Sequence, residues 1–419
     1  MKTLITIICG LVCLSLIRLI KKRFFCVSGI FIIAWSICLS LSTLGLFEMD
    51  TPSWTVVILA GASMVVFAIA GILEYPILKM NHLVVRKEKK IRGGSCSSLL
   101  YTLHILAYIF ALPFLAKAIN TMITEGLYFV RENAFTSSSF ATTAELMIFQ
   151  IFIQPLFQVM LLFTVLDVRN KKKCGLSIFI TIANLITYTL LFAGRYILFQ
   201  ALIYIIFIMY DSVFVKNIHT FIKQHKKVVV TSLLLIVTLL VVSSARSNSS
   251  VIRSAYVYFC GSFTYLSKLI ESNTGTDLYL FGTAQWGFIY NFIYLAIALL
   301  FGIEYAGSNH IITQLTQYSI RIGDNIRYNS LGTMLHDFIA DYGVCGSIFG
   351  VVIFALICNY IERIRFRRAD YFTLGLYYYT LFVVVNSVLG YSFRAPAALT
   401  VIILLYVFGN NIIAERNML

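Results

Sequence analysis

Apolar runs about twenty residues long recur along the whole chain, and they limit its fold more than any other feature. About 20 helical residues cover a hydrocarbon core of roughly 30 Å. Such runs lie at 2–20, 24–47, 54–73, 99–119, 145–166, 175–193, 196–215, 228–244, 342–360, 371–390 and 397–413. In hydrocarbon every backbone N–H and C=O must find a partner within the protein, which leaves helices or a closed barrel. Barrel strands would alternate in polarity over segments of about ten residues, whereas these runs are apolar throughout. Composition agrees: 59% of residues are hydrophobic and 12% charged, with a mean hydropathy of +0.87. A soluble domain carries about one quarter charged residues. The expected fold is therefore an all-α polytopic membrane protein, one integral membrane domain over 1–419 with about eleven transmembrane helices.

The net charge of +15 would suggest nucleic acid if it were spread over one surface. Instead the basic residues fall in short loops between apolar runs: Arg18, Lys21, Lys22 and Arg23; Lys79 to Arg92; Arg169 to Lys173; 216–227; and Arg363 to Arg368. That is the positive-inside pattern, and it places the N-terminus outside and the C-terminus in the cytoplasm. No nucleic-acid partner is expected. The first apolar run is followed by basic residues rather than a small-residue cleavage site, so a cleavable signal peptide is not expected. Cys9, Cys13, Cys26 and Cys38 lie inside apolar runs, which fits neither a disulfide framework nor a metal site. No Walker-type glycine loop or zinc-ligand spacing occurs, and no cofactor is expected.

One stretch breaks the count. If 283–303 alone crossed inward, the basic run Glu362 to Arg368 would end up outside, against every other loop. The economical solution keeps 245–341 as one large outer loop, with 283–303 re-entrant or lying along the interface. A crossing by 251–271 is disfavoured by Arg253 and Lys268. No internal repeat of the kind that builds many transporters is visible.

On the side assigned as outer, the cations are almost all arginine: Arg131, Arg195, Arg246, Arg253, Arg321, Arg327 and Arg394, against Lys117 and Lys268. Topology needs positive charge inside, so outer arginines call for another reason. A guanidinium offers a planar fork that matches phosphate or carboxylate with two hydrogen bonds. The candidate anion-binding residues are thus Arg195, Arg246, Arg253, Arg321, Arg327 and Arg394. Within the outer loop, 330–342 has helical periodicity. Leu331, Met334, Leu335, Phe338, Ile339 and Tyr342 share one face, and Thr333, His336, Asp337 and Asp341 the other. Asn329 or Ser330 could cap its start, and the helix may continue into the span at 342–360. A histidine beside carboxylates can serve as a general base for a hydroxyl, so His336, Asp337 and Asp341 are the candidate catalytic residues.

The segment Arg327-Tyr328-Asn329-Ser330-Leu331-Gly332-Thr333-Met334-Leu335, followed by Asp341-Tyr342-Gly343-Val344-Cys345-Gly346, resembles the Wzy-type O-antigen and capsule polymerases. So does the layout from the Gly194-Arg195 hairpin to the C-terminus, with Leu280 to Ile303 ahead of the motif. Arg321 and Gly332 also stand at the Arg-x10-Gly spacing of some family members, while Arg253 and Gly261 do not. The resemblance implies a GT-C-like fold in the bacterial cytoplasmic membrane. It implies a metal-independent glycosyltransferase that joins undecaprenyl-diphosphate-linked oligosaccharide repeat units at the outer face. Outer arginines would hold the diphosphates, and His336, oriented by Asp337 or Asp341, would deprotonate the acceptor hydroxyl. A chain-length regulator would fit as protein partner. The alternative is a flippase for lipid-linked oligosaccharides, which would share the lipid diphosphate but place charge midway through its spans.

Overall fold

The computed structural model describes residues 1–22, 24–74, 98–126, 129–130, 140, 142–169, 175–210, 250–316, 319–328, 332–367 and 370–414. Among them, six helices are long and apolar enough to cross a membrane. The only named sheet there is a two-stranded hairpin. The chain divides into two compact units.

The first unit comprises Met1–Arg86, Ile252–Arg368 and Thr380–Leu399. Its helices include α1 (Lys2–Lys21), α2 (Val27–Ser42) and α3 (Trp54–Leu73). Local chemistry sets their ends. The Cys26 sulfur accepts from Gly29 N–H and the Ser53 hydroxyl from Val56 N–H, each taking up a donor left over at a helix start. Small residues allow close helix approach: a side chain at Gly10 would strike Ser36, and one at Gly71 would meet Ser28 Oγ at 2.6 Å. Phe31 stacks on Phe67 at 3.6 Å and on Trp35 at 4.9 Å, and Trp35 Nε1 donates to Ser387 Oγ at 2.8 Å.

Lys21 belongs to the cluster expected to mark a cytoplasmic loop, yet its side chain is buried. Its Nζ lies 3.2 Å from Glu362 Oε2 and 3.4 Å from Asn359 Oδ1, which also accepts from Ser28 at 3.0 Å. The ion pair ties α1, and the Ser28 bond ties α2, to the long helix described below.

The second unit comprises Lys87–Val251, Ala369–Tyr379 and Thr400–Leu419. It contains α4 (Ser98–Thr124), α5 (Thr143–Ile148), α6 (Gln154–Arg169), α7 (Gly175–Phe192) and α8 (Tyr196–Tyr210). Thr142 and Glu145 form a reciprocal capping box at the start of α5. A π-turn, Phe149–Ile153, separates α5 from α6. Pro155 has no N–H to continue the regular ladder, which explains the irregular turn just before it. Residues Pro155 to Asp167 are buried on every side, so α6 is central in this unit. Phe157 of α6 meets Phe149, which packs in turn on Phe140 and Phe192. Polar pairs join the helices: Tyr108 donates to Asn184 at 2.6 Å, and Thr164 meets Thr181 at 2.7 Å. The expected span 228–244 lies outside the described residues.

The stretch expected as one large outer loop, 245–341, is described at 250–316, 319–328 and 332–341, and it is built of regular elements. It belongs to the first unit. It holds α9 (Val251–Glu271), α10 (Gly287–Phe301), α11 (Ser308–Thr316) and the hairpin β1 (Ile320–Gly323) and β2 (Ile326–Tyr328). After it come α12 (Thr333–Arg367), α13 (Tyr371–Asn386), a short 3-10 turn at Ser392–Arg394 and α14 (Ala397–Ala414). In the hairpin, Asn325 takes the left-handed conformation that asparagine tolerates in turns. Period-two alternation then buries Ile322, Ile326 and Tyr328 against Tyr256, Cys260 and Tyr265 of α9.

Candidate functional site

The helix expected over 330–342 does run on into an apolar stretch, as α12, with a break at Gly343 (φ 73°, ψ 173°). Its start is not exposed. Thr333 N–H donates to Leu389 O at 3.2 Å and Met334 N–H to Ser387 O at 2.9 Å, while Thr333 Oγ1 accepts from Leu335 N–H. These bonds satisfy leftover helix donors inside the protein. The alternative caps Asn329 and Ser330 lie outside the described residues. Gly332 through Asp341 are all buried, so the face carrying His336, Asp337 and Asp341 meets protein rather than water.

Asp337 is met by Arg394. Asp337 Oδ1 lies 2.6 Å from Arg394 Nη1, and Arg394 Nε donates to Asn309 Oδ1 at 3.1 Å. The Asp337 side chain is 2% exposed and that of Arg394 20%. Two of the three guanidinium nitrogens are thus fixed, and Nη2 has no partner among the described residues. The backbone of Arg394 is gripped as well. Asn291 Nδ2 donates to Arg394 O at 2.9 Å, and a Cβ on Gly287 would stand 2.5 Å from that oxygen. Asn291 also bonds Ser308, whose hydroxyl donates to Thr283 O at 2.7 Å. The Tyr305 hydroxyl packs against Gly307 beside Asn291 and is buried with no hydrogen-bond partner among the described residues. Burial pushes this phenol above its ordinary range, and the Arg394 charge pulls it part of the way back.

Asp341 and His336 take different positions. Asp341 Oδ1 accepts from Ala284 N–H at 3.0 Å and Oδ2 from Gln285 N–H at 2.7 Å. Both oxygens are committed to backbone, so this carboxylate anchors the loop before α10 and does not orient His336. The His336 ring is enclosed by Gly275 and Gly332, and its Nε2 lies 3.4 Å from Thr274 O. It makes no hydrogen bond to Asp337 or Asp341.

The other arginines are dispersed. Arg321 and Arg327 sit directly opposite each other on the exposed face of the hairpin, with Arg321 Nη2 2.6 Å from Asp324 Oδ1. Arg253 lies in the first turn of α9. Arg195 belongs to the second unit, where its carbonyl accepts from Phe199 N–H at the start of α8. Arg131 and Arg246 lie outside the described residues. The first unit therefore brings together His336, Asp337 and Arg394, with Asn291, Asn309 and Tyr305 around them. Of the last three, Asn291 carries a sequence signal: it is a lone amide in an apolar run, which costs free energy unless it is bonded. Among the described residues, no group of three His, Cys, Asp or Glu side chains is placed to hold a metal ion.

Comparison of the chain with protein-family models, curated proteins and solved structures returns no match.

Proposed function

We propose that the protein is a polymerase that joins undecaprenyl-diphosphate-linked oligosaccharide repeat units into O-antigen or capsular polysaccharide at the outer face of the bacterial cytoplasmic membrane. The reading rests on the sequence resemblance. The observation that best supports it is the fixed guanidinium of Arg394, held by Asp337 and Asn309 with Nη2 unengaged among the described residues.

In such a reaction the acceptor sugar hydroxyl attacks the anomeric carbon of the lipid-linked chain. The new glycosidic C–O bond forms as the bond to the diphosphate breaks, and the diphosphate leaves with the electron pair. A preset cation is most useful where negative charge develops, because it needs no reorganisation during the step. Arg394 is our first choice for that role, with Arg321 and Arg327 of the same unit as further candidates for diphosphate contact. His336 is the proposed acceptor of the hydroxyl proton. It lies next to Asp337 in sequence and is closed off in this structure, so substrate must open the side bounded by Gly275.

The test is to replace Arg394 by alanine and by lysine and to follow polysaccharide chain length in cells. The expected result is single repeat units on the cell surface, with normal amounts of the lysine variant in the membrane and chain length in the destabilised alanine variant scored per amount of protein. Units trapped inside would favour the flippase. Ladders of normal length from both variants would remove Arg394 from the mechanism.

A further inference from the structure

The sequence leaves two options for 283–303, re-entrant or interfacial, and the structure discriminates between them. Helix α10 has 15 residues and spans about 22 Å, short of the roughly 30 Å hydrocarbon core. Its two faces differ. Gly287, Asn291, Leu295 and Ala298 are buried, and the first two clasp Arg394. Ile289, Ile293, Ile297 and Leu300 form an exposed aliphatic stripe on the other side.

The loop before α10 continues that apolar surface. Phe281 is 85% exposed, and Leu278, Tyr279 and Trp286 are exposed beside it. Tyr279 (φ 46°) and Phe281 (φ 50°) both adopt the left-handed conformation. A non-glycine residue in that region is strained and persists only where its surroundings enforce it. The enforcement is visible. Leu280 and Phe281 N–H donate to Ala340 O and Asp341 O, and Ala284 and Gln285 N–H donate to the Asp341 carboxylate. Thr283 and Trp286 N–H bond Leu280 O and Gly282 O. Six backbone donors of this loop are thus satisfied inside the protein, while its aromatic side chains point outward. A loop in water needs neither arrangement; a loop in contact with hydrocarbon needs both.

The rim fits the same surroundings. Tyr290, Tyr294 and Tyr305 form a row of rings with centroids 6.1 and 5.5 Å apart. Amphipathic rings of this kind concentrate at membrane–water boundaries. Between Leu278 and Gly307 the only charged residue is Glu304. A surface with no charge over 278–303 offers a protein partner little electrostatic handle, but lipid requires only apolar area.

We propose that residues 278–303 form an interfacial element that docks on bilayer lipid, with the Tyr279–Phe281 loop inserted at the headgroup boundary and the outer stripe of α10 against acyl chains. The element does not cross the membrane. Its inner face holds the Arg394 backbone, so lipid contact and the position of that residue share one short helix. This inference stands apart from the polymerase reading and survives if that reading fails.

Trp286 reports on it directly, since the chain has only three tryptophans. The full chain and its Trp286→Phe variant are placed in lipid nanodiscs, and the fluorescence difference isolates Trp286. Brominated acyl chains should quench that component at least twofold more than aqueous iodide does. Quenching by iodide alone would mean that the face meets water, and quenching by neither would mean that another chain covers it; both overturn the proposal. A lipid-borne diazirine, photolysed with the unmodified protein, gives a second measurement that needs no variant. Adducts are expected within 278–303, and their absence there, with adducts on α1 and α4, would also overturn it.

Discussion

Arg394 and Asp337 depend on each other in an asymmetric way. Asp337 is almost fully buried, and removing its partner leaves a charge without compensation, which costs about 3–5 kcal/mol. Arg394 is partly exposed and can recover some hydration. Arg394→Ala should therefore destabilise more than Asp337→Asn, as measured by thermal unfolding in detergent. Arg394→Lys keeps the charge but loses the planar fork, so it cannot bond Asp337 and Asn309 with the same geometry. It should retain most of the stability and, under the proposed function, lower polymerisation on the order of a hundredfold, a size usual for removal of one preset donor. Asp341 calls for a different measurement. Its carboxylate holds Ala284 and Gln285 through bonds worth about 1.5–3 kcal/mol each. Asp341→Ala should speed hydrogen exchange at those two amides by at least about tenfold, whereas Asp341→Asn, which keeps one acceptor, should have a smaller effect. Equal exchange in all three proteins would show that the strained loop is held by something else.

At the scale of elements, α10 and the hairpin behave differently. Gly287 lets α10 approach the backbone of Arg394, and a methyl group there would sit 2.8 Å from Arg394 Cα. Gly287→Ala should shift α10 outward at a cost of about 1–3 kcal/mol, the usual range for overpacking. It should reduce polysaccharide length without changing the amount of protein in the membrane. In the hairpin, Arg321 and Arg327 are like charges directly opposite across two strands, an arrangement that destabilises by about 0.2–1 kcal/mol. Arg327→Ala should leave the melting temperature unchanged or raise it. If the same variant loses polymerisation, the pair is retained for an anion and not for the fold; a marked drop in melting temperature would show the reverse.

Across the first unit, the buried Lys21–Glu362 pair joins residues 341 positions apart in sequence. Lys21→Met alone should cost about 3–5 kcal/mol because Glu362 is left buried and unpaired, and Lys21→Met with Glu362→Leu should recover most of it. Additive losses in the two single variants and their combination would show that the charges do not compensate each other.

The amino-acid order alone determined that the chain is helical and suited to a membrane, because uninterrupted apolar length and internally satisfied backbone are local properties. It also marked α12 through the spacing of His336, Asp337 and Asp341, since helical period is local too. It could not determine which charged groups meet. Lys21 looked like a loop marker, Asp341 like a catalytic neighbour of His336, and Arg321 like a companion of Arg394. Only the tertiary structure buried Lys21 against Glu362, gave Asp341 to the amides of Ala284 and Gln285, and set Arg394 between Asp337 and Asn309. The physical reason is that a charge is stabilised by whatever lies within a few ångströms, and the packing of distant segments decides what that is.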